Sequence, residues 1–381
     1  MPMQQVETGL NQTVRSRLAA TRDRFRAEAR HMPGWMYTSP EVFELETERL
    51  FLKEWLVVGR TEEIPNVGDY FTFDIVDEPI VVTRGRSGKL NAFSNVCRHR
   101  GAKVVDGKGN AKVFSCPYHG WTYDVAGKLI QTTFTDDVEG FDFDNCQLAP
   151  ISIDEWGGWI FVNFDTKAGP LDDHVALYQE KLGHFRQEDC RIGGILDIEV
   201  DVNWKLIAEN LIDVYHFHVL HAGTFGSNKN QNRMRPYGEN ELVIFRPNSR
   251  SLTPTGEALV GHLPWIENDT RSAAGHMPPN AYFTCHCDSV KLWMSWPLSS
   301  TRSRLIIYSI YAEEQIACRN FKENAKAYDD FLAQIVDEDM SMIIALQKNL
   351  GSRRFEPGPM VGLESGVHST VNTLIDRLFA D

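Results

Sequence analysis

Two short stretches, "CRHRG" (97–101) and "CPYHGW" (116–121), bring Cys97, His99, Cys116 and His119 into one small part of the chain. Thiolates and imidazoles are ligands of zinc and of iron–sulfur clusters. Structural zinc sites usually open with two cysteines about two to four residues apart, and that spacing is absent here. One cysteine and one histidine on each of two loops suit a two-iron cluster, in which thiolates hold one iron and imidazoles the other. Gly101 and Gly120 let backbone come close to such a group, and Pro117 stiffens its loop. A single Cys-x-His is ordinary core packing; two such pairs are harder to read that way.

A second group lies in "NWKLIAENLIDVYHFHVLHAG", residues 203–223. On a helix turning about 100° per residue, Asp213 and His216 fall one turn apart on a shared face, with Leu206, Glu209 and Leu220 nearby. His216, His218 and His221 are candidate ligands, and helix geometry alone does not choose between them. His218 and His221 share a face, whereas His216 and His221 diverge by about 140° and converge only if the helix unwinds near its end. Ala222-Gly223 is a stop signal. Two imidazoles need a carboxylate to complete a facial triad. "YDDFLAQIVDEDMSMIIALQKNL" offers Asp329, Asp330, Asp337, Glu338 and Asp339. Counted from Leu332, Asp339 falls at about −20°, inside a stripe of Leu332, Ile335, Val336, Ile343, Leu346 and Leu350, while Asp337 and Glu338 fall more than about 100° away. A carboxylate among Leu and Ile needs a salt bridge or a metal, so Asp339 is the expected third ligand.

The elements that position these residues read as two kinds. From about 55 to 165 run short alternating segments with glycine-containing turns ("WLVVG", "DYFTFDIV", "PIVVTRG", "WGGWIFVNF"), a pattern of an all-β domain. After the Asp/Gly-rich "DTKAGPLDDH", helices are expected at about 171–185, 204–222 and 320–350, with strands in "ELVIFRP", "AYFTCHCDSVKLWMSW" and "SRLIIYSIYA". The fold class is therefore α+β, divided into a helical segment 1–50 packing on the second domain, an all-β domain 51–165, and an antiparallel sheet with helices over 166–381. In "FTCHCDSVKLWMSW" alternation puts Cys285 and Cys287 on one face and His286 on the other; the cysteines read as core, and His286, Trp293 and Trp296 as pocket or packing.

The net charge of −13 argues against a nucleic-acid partner, and no run approaches the ~18 apolar residues of a membrane span. The arginine-rich "RSRLAATRDRFRAEAR" is read as a surface helix rather than a transit peptide. Seven cysteines in 381 residues do not form a disulfide framework, which points to a reducing cytoplasm. Between Asn95 and Ile130 six basic side chains face two acidic ones, either a collar steering an acidic electron donor or an ordinary solvated loop surface.

C-x-H-R-G followed by C-P-Y-H-G-W resembles the Rieske [2Fe–2S] motif. N-W-K followed by E-N-x-x-D-x-Y-H-x4-H resembles the catalytic segment of Rieske non-haem iron oxygenases, the terminal oxygenase (α) components of the aromatic-ring-hydroxylating dioxygenase family. The likeness runs from about Trp55 to "LESGVH". It implies an N-terminal Rieske domain and a helix-grip-like, START-type catalytic domain, with one [2Fe–2S] cluster on Cys97, His99, Cys116 and His119. It further implies one mononuclear Fe(II) on His216, His221 and Asp339, the last in the family's E-D pair. Asp213 would be the electron bridge, meeting His216 in its own chain and His119 of a neighbouring copy in a homotrimer. Asn210 would lie close to the iron without being a firm ligand, and His218 is left as packing or pocket. No G-x-G-x-x-G follows a strand, so electrons would come from a separate reductase or ferredoxin, and a small β subunit is a further possible partner. O2-dependent hydroxylation of an aromatic substrate is the first reading. The alternative uses the same metals for oxidative N- or O-dealkylation of an alkylated amine or ether, and a third is a pure electron carrier or structural zinc protein.

Overall fold

Alternating side chains become strands wherever one face can be buried, and in this chain they do so in two separate bodies. The computed structural model describes residues 28–225, 242–246, 250–266 and 272–379. Most of the arginine-rich segment and the stretch 226–241 after His221 lie outside these. Two compact units emerge: Phe51–Ala176, and the residues before it together with Leu177 onward.

In the first unit, β1 (Leu56–Arg60), β2 (Asp69–Ile75), β3 (Glu78–Arg84), β4 (Leu90–Ser94), β5 (Lys108–Asn110), β9 (Pro150–Trp156) and β10 (Trp159–Asn163) form a seven-stranded sheet in the order β1-β10-β9-β4-β3-β2-β5. A second sheet orders β6 (Val113–Ser115), β7 (Thr122–Asp124) and β8 (Leu129–Gln131) in sequence. All pairings are antiparallel. Val81, Phe93, Phe114, Trp121, Tyr123 and Leu148 build the core between them, and Cys97 and Cys116 belong to it. The buried Thr83 hydroxyl donates to the Val125 carbonyl at 2.7 Å and ties one sheet to the other.

The second unit is built on a six-stranded antiparallel sheet. Its strands are β11 (Cys190–Val200), β12 (Val243–Arg246), β13 (Ser272–Met277), β14 (Ala281–Cys285), β15 (Val290–Ser299) and β16 (Arg302–Ala312), in the order β11-β16-β15-β14-β13-β12. With α1 (Pro40–Glu46), α2 (Leu171–Leu182), α3 (Trp204–Ile212), α4 (Phe217–Leu220), α5 (Glu313–Ile316), α6 (Phe321–Leu350) and α7 (Ser365–Leu378), the chain is α+β. On α6, Leu332, Ile335, Val336 and Ile343 are buried with Asp339 among them. Leu346, expected in the same stripe, is exposed.

The expected alternation through Cys287 stops earlier. Cys285 pairs with Val290, and His286 N–H donates to the Ser289 carbonyl at 2.8 Å. His286 and Cys287 therefore sit in a hairpin turn, where period-two facing no longer applies. Trp293 and Trp296 are both buried, and the Trp293 indole donates to Thr284 Oγ1 at 3.0 Å.

N-W-K earns its place by anchoring α3. Asn203 caps the helix, accepting from the Lys205 N–H at 2.9 Å, and the Trp204 indole donates to Glu46 Oε2 at 2.8 Å. Lys205 Nζ lies 2.5 Å from Glu46 Oε1, and neither side chain has any solvent exposure. Removing one partner of such a pair strands the other charge in low dielectric, at a cost of about 3–5 kcal/mol. Lys205→Met is therefore expected to lower the unfolding free energy by about that amount in urea melts, with Glu46→Gln added to it restoring more than half. Additive losses in the double variant would show that the pair is not coupled.

Candidate metal centres

The two ligand loops of the first unit close alike. Gly101 N–H donates to the Cys97 carbonyl at 2.9 Å and Gly120 N–H to the Cys116 carbonyl at 3.0 Å; the Cys97 and Cys116 amides donate in turn to Ala102 and Trp121. Both glycines have φ above +70°, which a Cβ disfavours. The result is an ordering by depth. Cys97 and Cys116 are each 3% exposed, while His99 and His119 meet at the rim with Nδ1 atoms 3.1 Å apart. Trp121 stacks on His99 with ring centres 4.9 Å apart, and Thr133 Oγ1 donates to the His119 carbonyl at 2.6 Å. Tyr123 Oη lies 3.3 Å from Cys97 Sγ and accepts from the Arg98 N–H at 3.1 Å. Burial, with the Cys97 contact, raises this phenol above its ordinary value, so it stays protonated and is the donor wherever Cys97 is a thiolate.

A single zinc ion would draw four donors to within about 4 Å of one another. Among the described residues, the set of three or more potential ligands gathered within 4.8 Å is His216, His221 and Asp339; the Cys97–His119 quartet is spread more widely. A buried thiol pair below an imidazole pair fits a two-iron cluster. The collar of basic residues is less free than its sequence implied. Lys103 lies 3.0 Å from Asp106 and 3.4 Å from Asp74, and Lys128 lies 3.4 Å from Asp144, two of these acids coming from outside the window counted.

The second centre corrects the expected helix over 204–222. α3 ends at Ile212, and Asp213 is extended, with ψ 125°. Its carboxylate accepts from the Tyr215 N–H at 2.7 Å through Oδ1 and from His216 Nδ1 at 2.9 Å through Oδ2. A short acidic side chain thus competes with the helical ladder and ends it. The chain restarts as α4, and His216 and His221 turn toward each other instead of diverging. His216 Nε2 and His221 Nε2 are 3.2 Å apart; Asp339 Oδ1 lies 3.4 Å from the first and 3.0 Å from the second. Three donors about 2.1 Å from one ion, at right angles to each other, would be about 3.0 Å apart, so the donor set fits a facial metal. Asn210 Nδ2 donates to Asp339 Oδ1 at 3.2 Å, while its buried Oδ1 has no partner. His218, half-buried on α4, takes no part in the convergence.

Both imidazoles are held from behind. Asp213 fixes His216, and Glu338 Oε2 lies 2.7 Å from His221 Nδ1 while accepting from Thr224 Oγ1 at 2.9 Å. Helix geometry turns Glu338 away from the triad, and its position behind His221 was not foreseen. The available signal was its place beside Asp339, which lets it reach the flank of the same site. Burial pulls the His216 pKa down, yet Asp213 and Asp339 outweigh it and bring it up to about 9. Burial also works against ionised Asp339, and the two imidazoles hold it below the usual carboxylate range nonetheless. Phe225 stacks on His221 at 4.5 Å and Phe217 meets His216 edge-on at 4.8 Å, giving the centre an apolar wall.

A family model described as ring hydroxylating alpha subunit (catalytic domain) matches residues 185–379, and one described as Rieske [2Fe-2S] domain matches 54–142. The carnitine monooxygenase oxygenase subunit of Acinetobacter pittii is 37% identical over 194 residues, 50% of this chain and 52% of that protein. The glycine betaine monooxygenase oxygenase subunit of Chromohalobacter salexigens is 37% identical over 217 residues, 55% and 48%. Benzene 1,2-dioxygenase subunit alpha of Pseudomonas putida is 35% identical over 201 residues, 50% and 44%. The chain thus spans about half the length of these relatives. Among solved structures, a quaternary ammonium Rieske monooxygenase involved in carnitine oxidation by gut microbiota superposes with a TM-score of 0.78 at 24% identity, covering 92% of this chain and 95% of that one. Naphthalene 1,2-dioxygenase from Rhodococcus sp. does so with 0.79 at 20%, covering 98% and 99%. At such identities the likeness is one of fold.

Two measurements probe the supporting side chains. Glu338→Gln should weaken ferrous iron binding about 10–100-fold in equilibrium dialysis; unchanged affinity would remove Glu338 from the site. Tyr123→Phe should lower the cluster potential in film voltammetry, because the lost hydrogen bond to sulfur stabilised the more negative, reduced state. An unmoved potential would mean that the Tyr123–Cys97 contact carries no such effect.

Proposed function

The chain belongs to the family of ring hydroxylating alpha subunits, and from that premise we propose that it is a terminal oxygenase that uses O2 to cleave a carbon–nitrogen bond in an alkylated amine. A Rieske domain followed by this catalytic domain carries one [2Fe–2S] cluster and one mononuclear iron. In this reading Cys97, His99, Cys116 and His119 hold the cluster, and His216, His221 and Asp339 hold the iron. The observation that carries it is the facial convergence of two Nε2 atoms and one carboxylate oxygen at 3.0–3.4 Å. When bound, the cluster would supply single electrons and the iron would supply the chemistry that activates O2.

The chain's own residues do the rest. Asp213 accepts the His216 Nδ1 proton and so turns Nε2 inward, and Glu338 does the same for His221. In this reading the half-buried Asp213 links the centre to His119 of a neighbouring copy in a homotrimer. Asn210 steadies Asp339 through its Nδ2–H, and its buried carbonyl oxygen has no partner. Phe217 and Phe225 limit water. One oxygen atom would enter a C–H bond next to nitrogen while the other leaves as water with two electrons and two protons. The resulting carbinolamine then releases an aldehyde and the shortened amine.

Carnitine and glycine betaine in the relatives' names, and a quaternary ammonium monooxygenase among the structural neighbours, favour dealkylation over the aromatic hydroxylation ranked first from sequence. Electrons come from a separate reductase or ferredoxin, as in the family. Among the described residues no helix is long and apolar enough to cross a membrane.

Reconstituted protein given a surrogate reductase, NADH and O2 should convert a panel of N-methylated amines with one aldehyde formed per substrate lost. A product that instead gains two oxygens and two hydrogens on an arene would reverse the ranking. Asp213→Asn, loaded with excess ferrous iron until it holds three irons and two sulfides per chain, is expected to lose turnover at least about 100-fold; near-normal activity in that variant would remove Asp213 as the link.

A further inference from the structure

Behind the helix that ends at Asp213 lies a group of buried charges with no part in holding metal. Tyr37 donates its hydroxyl to Glu209, 2.8 Å and 3.0 Å from the two carboxylate oxygens. One turn earlier is the Glu46–Lys205 pair, whose ammonium sits 5.5 Å from the centre of the Tyr37 ring. His31 Nε2 lies 3.1 Å from Glu364 Oε1, with 30% of the histidine side chain open to solvent. The Glu209 carbonyl accepts from the Asp213 N–H at 3.0 Å, so Glu209 stands one helical turn before the carboxylate that holds His216.

The count of charges in this group turns on one proton. With Glu209 neutral, Glu46 and Glu364 balance Lys205 and protonated His31. With Glu209 ionised, one surplus negative charge sits one helical turn before Asp213. Burial brings the Glu209 carboxyl up to about 7, although Tyr37, His31 and Lys205 pull the other way, so both forms are populated near neutrality. A surplus negative charge in low dielectric opposes the arrival of another.

We propose that Glu209 is a positioning residue for electron arrival: held by Tyr37, its proton sets the charge behind the Asp213–His216 pair, and the protonated form favours reduction of the bound iron. This rests on the reading of Asp213 given above. Glu209 acts through Asp213 and touches neither substrate nor metal.

The first test needs no metal. In iron-free protein the carbonyl stretch of a buried carboxylic acid should disappear with a midpoint near pH 7 and be missing altogether in Glu209→Gln. Tyr37→Phe should move the midpoint upward, because it removes a donor to the ionised form. A wild-type band that Glu209→Gln leaves in place overturns the proposal.

The second test uses the loaded protein. The midpoint potential of the mononuclear iron should fall between pH 6 and 8 in wild type more steeply than in Glu209→Gln. At pH 8, above the Glu209 midpoint, the variant should accept an electron several-fold faster than wild type, and the gap should close by pH 6. The same pH slope in both proteins would sink the role of Glu209. Asp213→Asn separates the two failures: electron transfer at the wild-type rate in that variant removes the underlying reading, whatever Glu209 does. A dead Asp213→Asn beside an unchanged Glu209→Gln removes Glu209 alone.

Discussion

The second centre depends on what the Asp213 carboxylate does to its own backbone. In a continuous helix, His216 and His221 would point about 140° apart and no ion could hold both. By accepting the Tyr215 N–H and His216 Nδ1 together, Asp213 ends one helix and orients the N-cap residue of the next. The break and the ligand orientation are one event. This side chain therefore carries three duties at once: terminator, orienter of an imidazole, and negative charge beside the centre.

That arrangement is useful only if α3 and α6 keep a fixed register, because Asp339 comes from the second. Gln347 supplies the tie. Its Oε1 accepts from the Asn203 N–H at 2.8 Å, and its Nε2 donates to the Tyr37 carbonyl at 3.2 Å. One end of α3 is thus fixed to α6 through Gln347 and to the N-terminal segment through Glu46. At the other end Asn210 touches Asp339. A helix pinned at both ends lets donors from two distant segments meet within about 3 Å.

Much of this was legible from residue type and period. Cys97, His99, Cys116 and His119 stood out by paired spacing, and Asp339 by falling in an apolar stripe where a carboxylate needs a salt bridge or a metal. The stripe's far end was overread, since Leu346 is exposed near the end of α6, where less of the helix circumference is covered. The helix wheel failed at Asp213 because it assumes the backbone continues, and a side chain that accepts from its own neighbours is outside that assumption. The strand reading failed at His286 and Cys287 for a similar reason: alternation persists in the letters through a turn that the hydrogen bonds have already made. Glu338 was missed because a search for ligands asks which carboxylates face a metal, not which ones stand behind a histidine. The basic collar shrank because Asp74 and Asp144 come from elsewhere in the fold.

The two imidazoles of the second centre are unequal in one further respect. His221 is 1% exposed and Asp339 7%, whereas His216 and its Asp213 support are 17% and 18% open. Any exchange of the ion with solvent is therefore one-sided. With an ion held by these three residues, a competing chelator would meet His216 first, and that bond would have to open before the buried pair became reachable. The centre would lose its ion as a hinge opens, from one edge, with two donors still holding it in place for recapture.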